Sequence, residues 1–305
     1  MKIIDNLENI DHSKPKILTL GSFDGVHYGH ISVLNYINNL ANKLHGESYI
    51  LTLEPHPRLV LQPNSDFKLL TLLDEKIKLL ETHQLQNLII QAFNKKFSEM
   101  SAFEFVKEIL VEKLQIHTLV IGFNHHFGKN REGNFSELQK LQQEFGFDLI
   151  QLPEIKNDES KISSTQIRKD INEGNIFSAN LKLGYDFFIK GKVIKGQQIG
   201  SKIGFPTANL EIDSTKIIPK NGSYIVEINL DEKTYSGMLN IGNRPTVDGK
   251  NIQIEVHIHD FDQDIYGKQI TVFFKDFLRE EIKFENLNKL QHQLELDRIK
   301  SKKFF

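Results

Sequence analysis

Two imidazoles three residues apart give this chain its first recognisable chemistry. His27 and His30 close the stretch GSFDGVHYGH, Gly21 to His30. The stretch follows the apolar run Ile17-Leu18-Thr19-Leu20 and leads into Ile31, Val33, Leu34, Ile37 and Leu40, spaced for one helix face. The pattern predicts strand, glycine-rich turn, helix. Gly21, Gly25 and Gly29 let the backbone turn tightly and come close to a ligand. The free N–H groups and positive dipole end of the following helix suit a phosphate. His27 and His30 share a face where that helix begins, placed to stabilise charge on a phosphoryl group. A zinc pair is disfavoured, because the chain has no cysteine and no H-E-x-x-H, and Asp24 is the one nearby carboxylate.

Further candidates lie downstream. Ile162-Ser163-Ser164-Thr165-Gln166-Ile167-Arg168 opens a helix running to Gly174, and its hydroxyls, free N–H groups and Arg168 form a second anion site; a plain N-cap explains Ser163 or Ser164 equally well. In GKVIKGQQIGSKIGFPTANL, Gly191, Gly196, Gly200 and Gly204 make a loop whose amides could fold over a polyphosphate. It is not a Walker A loop, since no G-K-[ST] ends it. Thr207 and Asn209 point the same way on an extended segment, either as hard oxygen ligands for Mg²⁺ or as ordinary turn chemistry. Pro55, His56, Pro57 and Arg58 form a rigid turn or bring an arginine to a phosphate. The segment from Gly122 to Gly133 is rich in glycine, aromatic and basic residues, as a loop that stacks on a ring and holds a phosphate would be. Glu255, from periodicity alone, is a polar residue on the solvated face of a strand.

The elements that must position these residues alternate in the first half. Strands are predicted at Ser48 to Leu53, Leu88 to Ile90, Leu119 to Ile121 and Phe147 to Ile150. Capping boxes are read at Thr71-x-x-Asp74 and Ser101-x-x-Glu104, and a helix from Asn134 to Phe145 ends at Gly146. Near-continuous apolar strands alternating with helices predict an α/β, doubly wound parallel sheet with its ligand outside the carboxyl ends of the strands. From Lys182-Leu183-Gly184-Tyr185 to Phe277 the period becomes two. Tyr224, Val226, Ile228 and Leu230 face one way; Ile252, Ile254, Val256 and Ile258 alternate with Gln253, Glu255, His257 and His259. This predicts a small antiparallel barrel or sandwich, with a helix over about Asn286 to Lys300 packed against it. The domains are expected at 1–183 and 184–305.

Composition sets the bounds. The 305 residues suffice for two domains, with 39% hydrophobic and 26% charged residues, as in a soluble globular protein. No stretch approaches a membrane span, and MKIIDNLENIDHSKPK shows no secretory signal. Zero cysteines rule out disulfides and are compatible with a cytoplasmic protein. A net charge of −2 gives no electrostatic case for nucleic acid as a partner. A monomer or weak homo-oligomer is expected.

The motifs together carry a resemblance. The G-x-F-D-G-x-H-x-G-H turn resembles the signature of the HxGH-type nucleotidyltransferases, specifically the adenylyltransferase half of bacterial bifunctional riboflavin kinase/FAD synthetases. Gly122 to Gly133 is similar to that family's G-x-[DN]-F-x-F-G-x-x-R-x-G loop, with Asn124 at the Asp/Asn position and His125 in place of the usual aromatic. Ser163 to Arg168 matches its S-S-T-x-I-R motif. G-F-P-T-A-N-L resembles the riboflavin kinase signature, and the likeness continues through Asn221 to Tyr224, Asn240 to Thr246, Glu255 to Phe261 and Phe277 to Glu281.

The resemblance implies a Rossmann-like N-terminal domain, a kinase-like C-terminal barrel, and two reactions. Riboflavin and ATP would give FMN and ADP, and FMN with a second ATP would give FAD and pyrophosphate, with Mg²⁺ as cofactor. Glu255 would be the kinase base, Thr207 and Asn209 metal ligands, and the glycine loop a cover for the phosphates. His27 and His30 would stabilise the adenylyl-transfer transition state, with nucleotide contacts from Gly21, Phe23, Asp24, Gly25, Gly29, Ser163, Ser164, Thr165 and Arg168. Flavin contacts would come from Pro55, His56, Pro57, Arg58, Asn124, Phe127, Arg131 and Arg279. Two rivals are an adenylyltransferase for another phosphorylated acceptor and a non-catalytic flavin or nucleotide sensor.

Overall fold

In a computed structural model of the chain, all residues are described except 124–125, 154–155, 158–159, 197–199, 201–202 and 247–248. By internal packing the chain divides into two units, Met1–Ser163 and Ser164–Phe305.

The first unit is built on β1 (Lys2–Ile4), β2 (Lys16–Leu20), β3 (Glu47–Glu54), β4 (Asn87–Ala92), β5 (Thr118–Ile121) and β6 (Asp148–Gln151). They form one sheet in the order β1-β4-β3-β2-β5-β6, every pair parallel. Successive strand residues serve opposite faces. Ile17, Ile50, Leu88 and Val120 pack on the face covered by helices Tyr28–Lys43 and Leu73–Thr82. Leu18, Leu51, Ile89 and Leu119 pack on the other, against Phe105, Val106, Ile109 and Leu110 of the helical run Ala102–Lys113 and Leu138 and Leu141 of Phe135–Phe145. Burial on both faces explains the continuous apolar strands, and the expected doubly wound sheet is what forms. The short edge strand β1 is an addition that three residues of sequence do not announce. Asn134 caps its helix through Glu137 N–H at 3.1 Å, and Gly146 ends it at φ +77°. The box at Ser101 and Glu104 forms as read.

The box read at Thr71 and Asp74 does not form. The helix starts two residues later, at Leu73, and Glu75 accepts from Leu72 N–H at 2.9 Å. Thr71 is drawn instead to the glycine turn, where its hydroxyl accepts from Gly25 N–H at 3.0 Å.

A short antiparallel pair, β7 (Lys156–Asn157) and β8 (Ser160–Lys161), closes the first unit. The second unit begins with helices Ser164–Glu173 and Ile176–Leu183, ended by Gly184 at φ +84°. It continues as β9 (Phe188–Ile194), β10 (Ala208–Ile212), β11 (Gly222–Leu230), β12 (Lys233–Thr246), β13 (Gly249–Ile258) and β14 (Gln269–Arg279), a closed antiparallel barrel in the order β10-β13-β12-β11-β14-β9. Tyr224, Val226, Ile228 and Leu230 point inward as the period predicted, with Val256, Val272 and Phe274. Ile252 departs from the pattern and is exposed. The C-terminal helix, Leu287–Phe304, is capped by Asn286. It covers part of the barrel's outer face, so His259 is buried rather than solvated and its Nε2 lies 2.8 Å from Ser301 Oγ. Among the described residues, no helix is long and apolar enough to cross a membrane.

Candidate functional site

In the first unit, the chain runs from β2 to β3 and β4 on one side and returns to β5 and β6 on the other. The sheet order therefore reverses between β2 and β5, where open α/β sheets bind ligands. The glycine turn follows β2, and Gly122 begins the segment after β5. The turn places Phe23 at φ +46°, Gly25 at +85° and Val26 at +35°. A β-branched residue in this region is strained, and such strain gathers at functional sites. The surrounding bonds hold it. Asp24 accepts from Leu70 N–H and Thr71 N–H, each at 3.0 Å, and is buried. Its observed role is thus to fasten the turn to the segment before the Leu73–Thr82 helix.

His27 is the N-cap of the helix Tyr28–Lys43, and its Nδ1 accepts from His30 N–H at 3.4 Å. An Nδ1 that accepts leaves the neutral ring's proton on Nε2. The His27 and His30 rings stack at 3.7 Å and 13°, and Phe23 lies 4.8 Å from His30. A side chain at Gly29 would press on the His27 ring at 3.0 Å, so glycine there lets the pair form. His30 Nδ1 is buried with no hydrogen-bond partner among the described residues. Burial pushes its pKa well below the ordinary imidazole value, and His27 and Lys76 push the same way. The turn thus presents a neutral His30 beside a helix N-terminus, chemistry suited to hydrogen-bonding a phosphoryl oxygen. Lys76 was not foreseen. It is buried on the Leu73–Thr82 helix, and that burial pulls its pKa below the ordinary lysine value, with Asp24 and Glu54 opposing. A lysine on an apolar helix stripe was the available signal.

The other first-unit candidates divide. Pro57 begins a short helix, Pro57–Leu61, capped by His56, whose Nδ1 accepts from Arg58 N–H at 3.1 Å. Pro55 is exposed, and the exposed Arg58 guanidinium lies 4.9 Å from the Phe67 ring centre. Phe127 packs its ring 5.6 Å from Phe105, joined to the core rather than displayed. It pairs with Gly133 through N–H···O bonds of 2.9 and 3.1 Å, and a Cβ at Gly133 would enter the Phe127 ring. Arg131 is exposed at φ +60°. Asn124 and the atypical His125 lie outside the described residues.

In the second unit, the helix from Ser164 presents Thr165 to solvent and half-buries Arg168. Asp170, on the same helix, accepts from Lys182 at 2.6 Å and Gln166 at 3.1 Å, which ties the helix to its successor.

The barrel brings the kinase candidates together. Asn209 on β10 stands directly opposite Glu255 on β13. Gln253 Nε2 donates to Asn209 Oδ1 at 2.8 Å and to Glu255 Oε1 at 2.7 Å. Two glycines of the loop lie close by: a Cβ at Gly196 would overlap the Asn209 amide, and one at Gly200 would overlap Phe205 O. Phe205 N–H donates to Gly200 O at 2.9 Å, Gly200 faces Thr207 Oγ1, and Gly204 takes φ +81°. Gly191 lies within β9, where a Cβ would strike Ile212 on β10; its need is strand packing. His257 Nδ1 donates to Pro206 O at 2.9 Å, since a carbonyl only accepts. Arg279, by contrast, is engaged with the buried Asp297 of the C-terminal helix at 2.8 Å.

Among the described residues, no cluster of three or more His, Cys, Asp or Glu side chains could hold a metal ion. Thr207 and Asn209 instead offer neutral hard oxygens beside one carboxylate. Asn209 Oδ1 keeps a second lone pair beyond the one used by Gln253. That donor set fits Mg²⁺ carried in by a polyphosphate better than an all-protein metal cage.

Comparison with known proteins finds two families in succession along the chain. Residues 9–166 match the FAD synthetase family, and residues 183–305 match riboflavin kinase. The bifunctional riboflavin kinase/FMN adenylyltransferase of Escherichia coli (strain K12) is 34% identical over 308 residues, covering 100% of this chain and 98% of that protein. The protein of the same description from Haemophilus influenzae is 36% identical, covering 100% and 99%. A crystal structure of a macrolide-efflux protein from Streptococcus pneumoniae superposes with a TM-score of 0.90 at 29% identity, covering 98% of each chain. With both family matches in succession along one chain, and relatives above 30% identity over their whole length, the chain belongs to the bifunctional riboflavin kinase/FMN adenylyltransferase family.

Proposed function

We propose that the protein phosphorylates riboflavin to FMN in its second unit and adenylylates FMN to FAD with chemistry centred on its first. The observation that carries this reading is the grouping of Glu255, Asn209 and the Gly196 loop on one face of the barrel, in a chain that separately keeps the stacked His27–His30 pair on its glycine turn.

In the kinase step the ribityl 5′-hydroxyl attacks the γ-phosphorus of ATP, Glu255 accepts the hydroxyl proton, and ADP leaves. The glycine loop covers the phosphates with its amides, and Thr207 and Asn209 would hold Mg²⁺. Bound there, the ion supplies charge neutralisation on the phosphate oxygens. Positioning and electrostatics carry most of the rate in such transfers.

In the adenylylation step the FMN phosphate attacks the α-phosphorus of ATP and pyrophosphate leaves, with no side-chain nucleophile. His27 and His30 donate hydrogen bonds to oxygens that gain charge in the transition state. Ser163, Ser164, Thr165 and Arg168 are assigned to the phosphates by their motif. Gly21, Gly25 and Gly29 bring the backbone close, Phe23 stands beside His30, and Asp24 serves by holding the turn. Arg58, Arg131 and the aromatic segment after Gly122 are the flavin-side candidates in this unit. Riboflavin, FMN, FAD and ATP are the ligands, and the protein acts in the cytoplasm without a nucleic-acid or membrane partner.

The test is chromatography of riboflavin with ATP, Mg²⁺ and protein, following FMN and FAD over time. Both products in succession support the reading; FMN alone removes the adenylyltransferase half, and bound flavin without product points to a sensor. Glu255→Gln should abolish FMN formation while still converting added FMN to FAD. His30→Ala should do the reverse, and equal loss of both activities in a folded variant would contradict separate centres.

A further inference from the structure

Glu255 does not stand alone on its strand. Gln253 precedes it by two residues on the same face of β13, and Asn209 faces it across the ladder. The Gln253 amide nitrogen donates one proton to each neighbour, to Asn209 Oδ1 at 2.8 Å and to Glu255 Oε1 at 2.7 Å. A carboxylate only accepts, so this assignment fixes which end of the Gln253 amide faces Glu255. It fixes Asn209 as well: Oδ1 turns toward Gln253 and Nδ2 toward Gly196. Gly242 stands opposite Gln253 on β12, and Asn240 of the same strand stands opposite Glu255.

We propose that Gln253 is a positioning residue for riboflavin phosphorylation, orienting the Asn209 amide so that its oxygen serves the metal–nucleotide and fixing the Glu255 carboxylate in place. The inference rests on the reading of Glu255 as base and Asn209 as ligand. Without Gln253, the Asn209 amide is able to turn over and present its NH₂ group to the cation, which repels it. Glu255 loses the donor that holds its carboxylate in one orientation.

The experiment compares Gln253→Leu, Gln253→Glu and Glu255→Gln in the full chain, measuring FMN formation across riboflavin and Mg²⁺ concentration. Thermal unfolding of the full chain, with riboflavin binding measured beside it, reports that the barrel of each variant is folded. Gln253→Leu should lower kcat about tenfold, as expected for loss of a hydrogen bond to a charged group, with the KM for riboflavin little changed. Its Mg²⁺ half-saturation should rise, a change that a purely structural role for Gln253 would not produce. Gln253→Glu keeps the side chain's length but has no N–H to donate to either neighbour, and should lower kcat at least as much. Should the leucine variant lose its barrel unfolding transition, Gln253→Met keeps the stem without the amide and gives the same comparison. An inactive Glu255→Gln with a Gln253→Leu protein of unchanged kcat and Mg²⁺ dependence overturns the positioning role alone. A Glu255→Gln protein that still makes FMN overturns the base assignment and this inference with it.

Discussion

At the scale of single residues, the glycines separate into those the chemistry needs and those the packing needs. Gly196 admits no side chain because Asn209 already occupies that space, and Asn209 is a proposed metal ligand. Gly196→Ala should therefore displace either the loop or Asn209 and lower kcat/KM for riboflavin phosphorylation by on the order of 100-fold, the usual cost of an ångström-scale misplacement. Steady-state kinetics would show it, with FAD formation from added FMN unchanged. The motif made Gly196 legible, but which atom it spares is a fact of tertiary contact. Asp24 shows the limit of motif reading more sharply. Its place between glycines suggests a ligand contact, whereas the carboxylate is consumed by two backbone N–H groups from a segment more than forty residues on. Nothing local in GSFDGVHYGH announces that partner. Arg279 is the same case, since its partner Asp297 lies on a helix that contributes nothing to its own strand's pattern.

At the scale of elements, the strands and helices follow from period and caps, while the departures come from contacts between elements. The β11–β12 hairpin is a two-residue turn with Asp231 at φ +49° and Glu232 at φ +63°. That geometry suits Asn-Gly, and each non-glycine residue in it is strained. Glu232→Gly should raise stability by about 1 kcal/mol, read as an increase in the urea midpoint at unchanged slope. Asp231 is better left in place, because it pairs with Lys268.

His259 gives a second test at this scale. Burial beneath the C-terminal helix pushes its pKa down to about 4, with His257 and Lys302 adding to the effect and Asp260 opposing it. The folded state therefore binds this proton less readily than the unfolded chain, whose histidines titrate near about 6.5. Stability is complete above that value, falls as pH drops through the window, and has lost up to about 3 kcal/mol by pH 4. Denaturant unfolding between pH 7 and 4 should show a smaller drop in His259→Gln, where the amide keeps a polar partner for Ser301 without titrating. Strand periodicity assigned His259 to the solvated face, because the covering helix is forty residues away in sequence.

At the scale of the whole molecule, composition and the change of hydrophobic period announce two units, and the boundary is decided by what the helices between them pack on. Ile167, Ile171, Ile176, Ala179 and Leu183 are all buried within the second unit. Asn180 donates to Phe274 O at 2.9 Å and accepts from Phe187 N–H at 2.8 Å, and Lys220 N–H donates to Ile171 O at 3.3 Å. The two helices thus close one side of the barrel, although their period of 3.6 reads as a continuation of the α/β half. A fragment of residues 164–305 should fold, whereas 184–305 exposes the apolar wall the helices cover. Each buried aliphatic side chain contributes about 1.5–3 kcal/mol, so removing several should lower the melting temperature by more than about 10 °C. Thermal unfolding of the two fragments, with riboflavin phosphorylation measured beside it, decides the point. Equal melting temperatures would mean that the helices rest on the barrel without supporting it. A stable, active longer fragment beside a molten shorter one would place the working edge of the kinase unit at Ser164.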